Sequence, residues 1–312
     1  MNTWKLSINI GKVKDGAFYK CKDKSLVGIG WSGSYENQQP NDYADAERLI
    51  KDRFGKMPKV LKRFMEEIRK GDHVWLHKNG KYYLCEIEDE HLIYGKDIDS
   101  NFLEYDLGHA KTAKWVEIPS YLVSGKIQRG VIAQRMLQRI NVTKEELDYN
   151  QFIFKELSSN PKWNPVIDES KLSSLIKGLS EEAIFDLMTP DDVEDVIASY
   201  LQSKERWVIT KSTCFRSKPT YEFSMLNKKG EKALVQVKSG SYPDPLAPSN
   251  YEKDTTNNTY VYLFSTNKSP YPGSQFPNVR ILEKSEIFKW VVQNMWSLTY
   301  PLKLKLWVVL TM

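Results

Sequence analysis

The stretch "ALVQVKSG", residues 233–240, limits what this chain can fold into more than any other. Read as a strand, its successive side chains point to opposite faces. Val235 and Val237 then share one face, while Leu234, Gln236 and Lys238 share the other. Burying an amide and an ammonium side by side is costly unless partners meet them. Two accounts follow. Either Gln236 and Lys238 decorate the exposed face of an edge strand, or the strand is central and the pair belongs to a polar site.

The surrounding sequence supplies partners for the second account. "TYEFSML" and "ALVQVKSG" flank the turn "NKKGEK" and read as a hairpin. Glu222 alternates with Tyr221 and Phe223, so it faces the side of Gln236 and Lys238. Upstream, "TPDDVEDVIASYLQ" reads as a helix. Thr189 suits the N-cap, Pro190 the first helical position, and Asp191 and Asp192 the positive helix end. Val193, Val196, Ile197, Tyr200 and Leu201 form one apolar stripe. Glu194 sits at the edge of that stripe, within reach of the sheet rim.

Two carboxylates, an amide oxygen and a lysine thus converge, and the group has a chemical use. Phosphodiester hydrolysis needs an activated water and compensation for charge gathering on phosphate oxygens. A hard cation such as Mg²⁺, with Mn²⁺ as its substitute, takes oxygen ligands. Glu222 anchors such an ion, the Gln236 side-chain oxygen and the Val237 carbonyl complete the set, and Glu194 contributes from the helix. Lys238 orients or deprotonates the water and offsets negative charge.

The order of these elements resembles the PD-(D/E)xK nucleases, and most of all their Mrr-type restriction endonuclease domain. That family runs from a helix bearing Glu, through an acidic strand and a hairpin, to a strand reading Gln-x-Lys. Here these are "DDVEDVIASYL", "TYEFSML" and "VQVKSG"; "YVYLFSTN" and "NVRILEKSEIFKWV" resemble the closing strands and helix. The resemblance covers roughly residues 185–295. The chain departs from it at the acidic strand, where "RSKPTYEF" brings Glu222 without the usual glycine-rich lead-in to Asp.

The first 120 residues read mostly as strands with one helical insert. "WKLSINI" and "LVGIGW" are strands, and residues 42–69 carry helical spacing with Pro58 near a helix start. "HVWLH" and "KYYLCEI" flank Asn79-Gly80, a two-residue hairpin signal, and "AKWVEI" is a further strand. Many short strands with turn signals imply a small barrel.

"WKLSINIG", "LVGIGWSGSY" and the "KGDHVW" strand opening resemble the EVE and PUA-like barrel family. Relatives in that family bind nucleic acid, and some hold a flipped, modified base in an aromatic pocket. The resemblance implies a pocket lined by Trp31, Tyr35, Trp75 and Tyr94, with Ser32 as polar partner. A base taken from the stack needs such π-faces and a hydrogen-bonded edge. The other account of each aromatic is core packing, since aromatics carry much of a small barrel's buried area.

Between these halves, "GKIQRGVIAQRMLQRI" reads as a helix placing Lys126, Arg129, Arg135 and Arg139 among apolar residues. They are candidates for the DNA backbone, or a solvated helix face. The expected organisation is α/β (α+β). It comprises a PUA-like β-barrel over 1–122, a helical linker over 123–180, and a restriction-endonuclease-like mixed sheet flanked by helices over 181–312. The tail "KLKLWVVLTM" reads as a terminal strand.

Bulk properties agree with these readings. The chain has 312 residues, 41% apolar and 27% charged, as an ordinary globular protein has. Its net charge of +5 lies wholly in residues 1–140, where 24 Lys and Arg face 19 Asp and Glu. That excess suits a polyanion. No apolar run approaches the roughly 20 residues that span a bilayer, so no membrane is expected. The three cysteines, Cys21, Cys85 and Cys214, make neither a disulfide framework nor a zinc spacing, which fits a cytoplasmic protein. His73, His77, His91 and His109 lack the companions of a metal site.

The halves together describe a DNA endonuclease resembling modification-dependent (type IV) restriction enzymes. One active site cuts one strand, so a homodimer is expected on duplex DNA. A binding protein without catalysis, and a nuclease acting on RNA or repair intermediates, are the other readings.

Overall fold

The computed structural model describes residues 1–8, 16–132, 135–163, 166–210, 221–240, 245–267 and 270–311. The chain forms two compact units. The first comprises Met1–Val123, Arg129–Val142 and Ile153–Trp163; the second comprises Ser124–Gln128, Thr143–Phe152 and Asn164–Met312. Residues 123–180, expected as a linker, are therefore shared between the units.

The first unit is built on one sheet. Its strands are β1 (Thr3–Leu6), β2 (Leu26–Ile29), β3 (His73–Lys78), β4 (Lys81–Ile87), β5 (Ile93–Tyr94), β6 (His109–Ile118) and β7 (Leu137–Ile140). They run in the order β2-β6-β4-β3-β1-β7, with β5 also on β6, and the sheet curls into a half-barrel. Only β1 and β3 pair in parallel. The β3–β4 hairpin turns at Asn79 and Gly80, whose φ values of 50° and 77° match the two positive angles a type I′ turn needs.

Alternation along the strands sends Trp4, Leu6, Val74, Leu76, Tyr83, Cys85 and Ile87 to the concave face. There they meet Phe18 and Cys21 of a helix at Gly16–Asp23, and Ile50 of a helix at Tyr43–Phe54. Leu61, Phe64 and Met65 of a third helix at Lys59–Glu67 complete this core. Asp42 caps the Tyr43–Phe54 helix by accepting from the Asp45 N–H. These two helices fill the expected insert over 42–69; Gly16–Asp23 is one the apolar pattern did not signal.

The helix expected across "GKIQRGVIAQRMLQRI" is shorter than its pattern implied. It runs Gly125–Ile132, and the chain then becomes β7, antiparallel to β1. Short apolar runs fit either period. What decides is the β1 edge, whose N–H and C=O groups pair along Thr3–Leu6 with Leu137–Ile140.

The second unit centres on a mixed sheet. Its strands are β8 (Val208–Ile209), β9 (Phe223–Leu226), β10 (Lys232–Lys238), β11 (Thr259–Ser265) and β12 (Val279–Ile281), ordered β12-β11-β10-β9-β8. β8, β9 and β10 are antiparallel; β10, β11 and β12 are parallel. β10 is the middle strand, so the edge-strand account of Gln236 and Lys238 fails on topology. Lys211–Thr213 of the expected strand "WVITKST" and Thr220 of "TYEFSML" lie outside the described residues.

The helix Pro190–Glu205 packs on this sheet and buries Val193, Val196, Ile197 and Leu201, while Tyr200 meets Glu286 and Trp290 of the helix at Lys284–Gln293. Thr189 and Asp192 close a reciprocal capping box at its start. Gly125 lies against the turn that leads into this helix: a Cβ there would stand 1.6 Å from the Met188 carbonyl oxygen, so no side chain fits.

The tail corrects the sequence reading. Tyr300–Thr311 is a helix, not a strand. Leu302, Leu304 and Leu306 alternate with Lys303 and Lys305, the period of a strand, yet both lysines are buried. Lys305 Nζ reaches Asp192 Oδ2 at 2.8 Å and Lys303 Nζ reaches Glu169 Oε1 at 2.9 Å. Carboxylate partners let a helix bury cations that the pattern reserves for a solvent face. Among the described residues, no helix is long and apolar enough to cross a membrane.

Candidate functional site

β9 and β10 pair with Phe223 opposite Val235, and the Glu222 N–H donates to the Val235 carbonyl at 2.9 Å. One step further, Glu222 and Gln236 become cross-strand neighbours on one face. The Gln236 amide donates from Nε2 to Glu222 Oε1 at 3.0 Å and to its own neighbour's carbonyl, Val237 O, at 3.2 Å. Lys238 Nζ stands 3.4 Å from the same Glu222 Oε1. Gln236 is buried, whereas Glu222 and Lys238 keep 29% and 27% of their side-chain surface exposed. The site therefore opens to solvent at its charged end and closes at its amide.

Glu194 faces these groups from the Pro190–Glu205 helix. Burial first, then the negative charges of Glu222, Asp191 and Asp195, raise its carboxyl to about 7, while Lys238 pulls the other way. Glu222 and Lys238 thus act on Glu194 electrostatically, while Glu222, Gln236 and Lys238 are joined by direct contacts. Asp195, one residue on, is also raised, by burial and by Asp192 and Asp191.

The donor set suits a hard divalent ion. Two oxygens, Glu222 Oε1 and Val237 O, converge on the point held by the Gln236 NH₂. Half a turn of that amide exchanges nitrogen for oxygen there. Among the described residues, no group of three or more His, Cys, Asp or Glu side chains is placed to hold a metal. The candidate set is instead two carboxylates completed by an amide and a backbone carbonyl, which is oxygen-only chemistry.

In the first unit, Tyr35 and Tyr94 come together, and Ser32 begins the short helix that carries Tyr35, all three as buried groups. The Tyr35 and Tyr94 rings meet edge to face at 6.0 Å. Tyr35 Oη and His109 Nε2 are 2.5 Å apart, and His109 Nδ1 lies 3.0 Å from the Gly30 carbonyl. Burial holds the His109 imidazole down to about 4, so it is neutral at physiological pH. Ser32 donates from its backbone N–H and from Oγ to Asp106 Oδ1, each at 2.9 Å. Trp31 is half-buried, in the left-handed region at φ 68°. Trp75 does not join this group: it points to the opposite sheet face from Val74 and Leu76.

Sequence reasoning missed three residues here. His109 fixes Tyr35 from the strand opposite, and its signal was only its place in β6. The Ser34 hydroxyl and the Gln39 amide are enclosed without hydrogen-bond partners among the described residues. Gln39 lies against Gly95, where a Cβ would stand 2.5 Å from its amide nitrogen. Both sit in the polar run "SGSYENQQPND", in which nothing marks them out.

The four basic candidates do not lie on one element: Lys126 and Arg129 are on the Gly125–Ile132 helix and Arg139 is on β7. Lys126 pairs with Asp186 at 2.5 Å within the second unit. Arg129 belongs to the first unit's share of the helix, Arg135 is exposed beyond it, and Arg139 is exposed on β7 opposite Trp4. The reason is the change from helix to strand between them.

Comparison with known protein families, with curated proteins and with solved structures finds no match to this chain.

Proposed function

We propose that this protein is a Mg²⁺-dependent DNA endonuclease. Its first unit recognises DNA, as a modified base taken out of the stack, and its second unit hydrolyses the backbone, in restriction of foreign DNA. The observation that carries this reading is the meeting of Glu222, Gln236 and Lys238 on the central strand pair, with Glu194 in their field. The resemblance to Mrr-type nucleases in element order adds to it.

Glu222, the Gln236 side-chain oxygen, the Val237 carbonyl and Glu194 would hold Mg²⁺, which when bound would supply Lewis-acid polarisation of the phosphate. The chain's own groups do the rest. Lys238 donates to a phosphate oxygen and offsets the charge gathering there. Glu194 is ionised while it holds the ion, so the proton that the attacking water gives up passes to solvent. The water oxygen bonds to phosphorus, the bond from phosphorus to the leaving oxygen breaks, and that oxygen takes a proton from solvent. Two copies acting on the two strands produce a double-strand break.

The reader role of the first unit rests on Tyr35 and Tyr94, which meet edge to face, with Trp31 packed against the same core and the unpartnered Ser34 and Gln39 in the same polar run. One digest tests the whole reading. Modified duplex DNA, plain duplex DNA and RNA are incubated with the protein and with its Lys238→Ala variant, with and without Mg²⁺. Mg²⁺-dependent cutting of modified DNA by the parent alone supports it. Equal cutting of all three removes modification dependence, and cutting that survives Lys238→Ala removes the site.

A further inference from the structure

The convex face of the first unit's sheet carries a second polar group, unconnected with the nuclease reading. β1 and β3 run parallel with Thr3 beside His73 and Lys5 beside Trp75. Alternation sets these four on one face, opposite to Trp4 and Val74, which enter the core. Each is at most 1% exposed. Thr3 Oγ1, Lys5 Nζ, both ring nitrogens of His73 and Trp75 Nε1 have no hydrogen-bond partner among the described residues. Phe154 covers the His73 ring at a centroid distance of 5.6 Å and offers it nothing polar.

Native proteins pair nearly all buried polar atoms, so five such atoms on adjacent residues call for an occupant. The inventory is rich in donors. The lysine ammonium has three N–H groups, the indole only donates, and the hydroxyl can donate. His73, held neutral by burial, adds one donor and one acceptor. Neighbouring carboxylates do not fill the need. Asp72 is taken by the backbone N–H groups of Asn2 and Arg69 and by Trp4 Nε1. Glu86 Oε2 stops 3.8 Å from His73 Nε2. Arg135 acts on Lys5 with a further positive charge. An enclosed ammonium without a counter-charge is the most unfavourable member of the set.

We propose that this face of β1 and β3 holds a small inorganic anion, bound by Lys5 and Trp75, with Thr3 and His73 completing its shell. The near-total enclosure of the four side chains excludes a polymer or a nucleotide and leaves an ion of chloride or phosphate size.

The test uses the full chain in sodium gluconate, an anion too large to be enclosed. Thermal melts follow addition of chloride or of phosphate at constant ionic strength. A bound ion raises Tm in a saturable way. A rise with chloride alone assigns a monoatomic ion, and a rise with phosphate assigns a tetrahedral one. Lys5→Met abolishes that rise and Trp75→Phe reduces it. No anion-specific rise in the parent, or a full rise in Lys5→Met, overturns the proposal. Crystals soaked in bromide or selenate keep the question open to test should Lys5→Met not fold. An anomalous peak within hydrogen-bond reach of Lys5 Nζ supports the site, and ordered water alone overturns it.

Discussion

Gln236 donates its amide N–H to Glu222 across the β9–β10 pair at 3.0 Å, and that bond joins side chains of the two strands that carry the polar site. Substituting Glu222→Gln keeps an oxygen acceptor for that bond while removing the charge. The expected outcome is loss of Mg²⁺-dependent cleavage by on the order of 100-fold or more, with little change in Tm. Cleavage assays beside a thermal melt check this. Retained activity would show that the carboxylate is not an ion ligand.

The Glu194 carboxyl rises from 4.5 to about 7, which sets a pH dependence with a definite sign. A carboxyl raised on folding stabilises the fold in its protonated form. That contribution is whole below its unfolded value of 4.5 and disappears as pH climbs through about 7. Asp195, raised as well, adds a slope of the same sign. Metal binding requires the ionised form. Added Mg²⁺ should therefore raise Tm more at about pH 8 than at about pH 6. In Glu194→Gln that difference should shrink, and a melt series at the two pH values measures it.

The second unit was more legible than the first because its site is built from local order. Thr189, Asp192, Glu222, Gln236 and Lys238 are set by a cap, a hairpin register and strand alternation, all of which are short-range rules. The Lys303 and Lys305 alternation misled because burial of those cations depends on Glu169 and Asp192, more than 100 residues away in the chain. Likewise β7 depends on β1, and no local period announces a partner from the N-terminus. Trp75 lies on the face opposite Val74 for a related reason: alternation separates the two, but only long-range packing decides which face is the core.

Asp192 and Lys305 form a buried ion pair at 2.8 Å, and Asp192 also takes the Thr189 N–H that starts the helix bearing Glu194. Burial opposes ionisation of Asp192, yet Lys305 and Thr189 outweigh it and hold its carboxyl below the usual range. Lys305→Met leaves that carboxylate buried without its counter-ion and should destabilise the fold by about 3–5 kcal/mol. Asp192→Asn combined with Lys305→Met should recover a large part of the loss. Urea unfolding of Lys305→Met, of Asp192→Asn alone and of the double variant measures the coupling, and additive losses would show that the pair is not coupled.

Trp31 holds a left-handed backbone at φ 68°, a conformation that costs a bulky L-residue roughly 1–2 kcal/mol. It is half-buried and packs against the core that includes Tyr35 and Tyr94. Asn tolerates this backbone region, so Trp31→Asn removes the ring without adding strain. If the indole stacks on an extruded base, its loss should weaken binding of modified duplex DNA by about 1–3 kcal/mol, roughly 5- to 150-fold. Affinity for plain duplex should change far less, because phosphate contacts carry it. At saturating protein the single-turnover cutting rate should stay the same, since Glu222, Gln236 and Lys238 lie in the other unit. Fluorescence anisotropy on paired modified and plain duplexes reads the first effect and a quenched digest reads the second. An unchanged affinity ratio would place Trp31 among the packing residues of the half-barrel and move base recognition elsewhere.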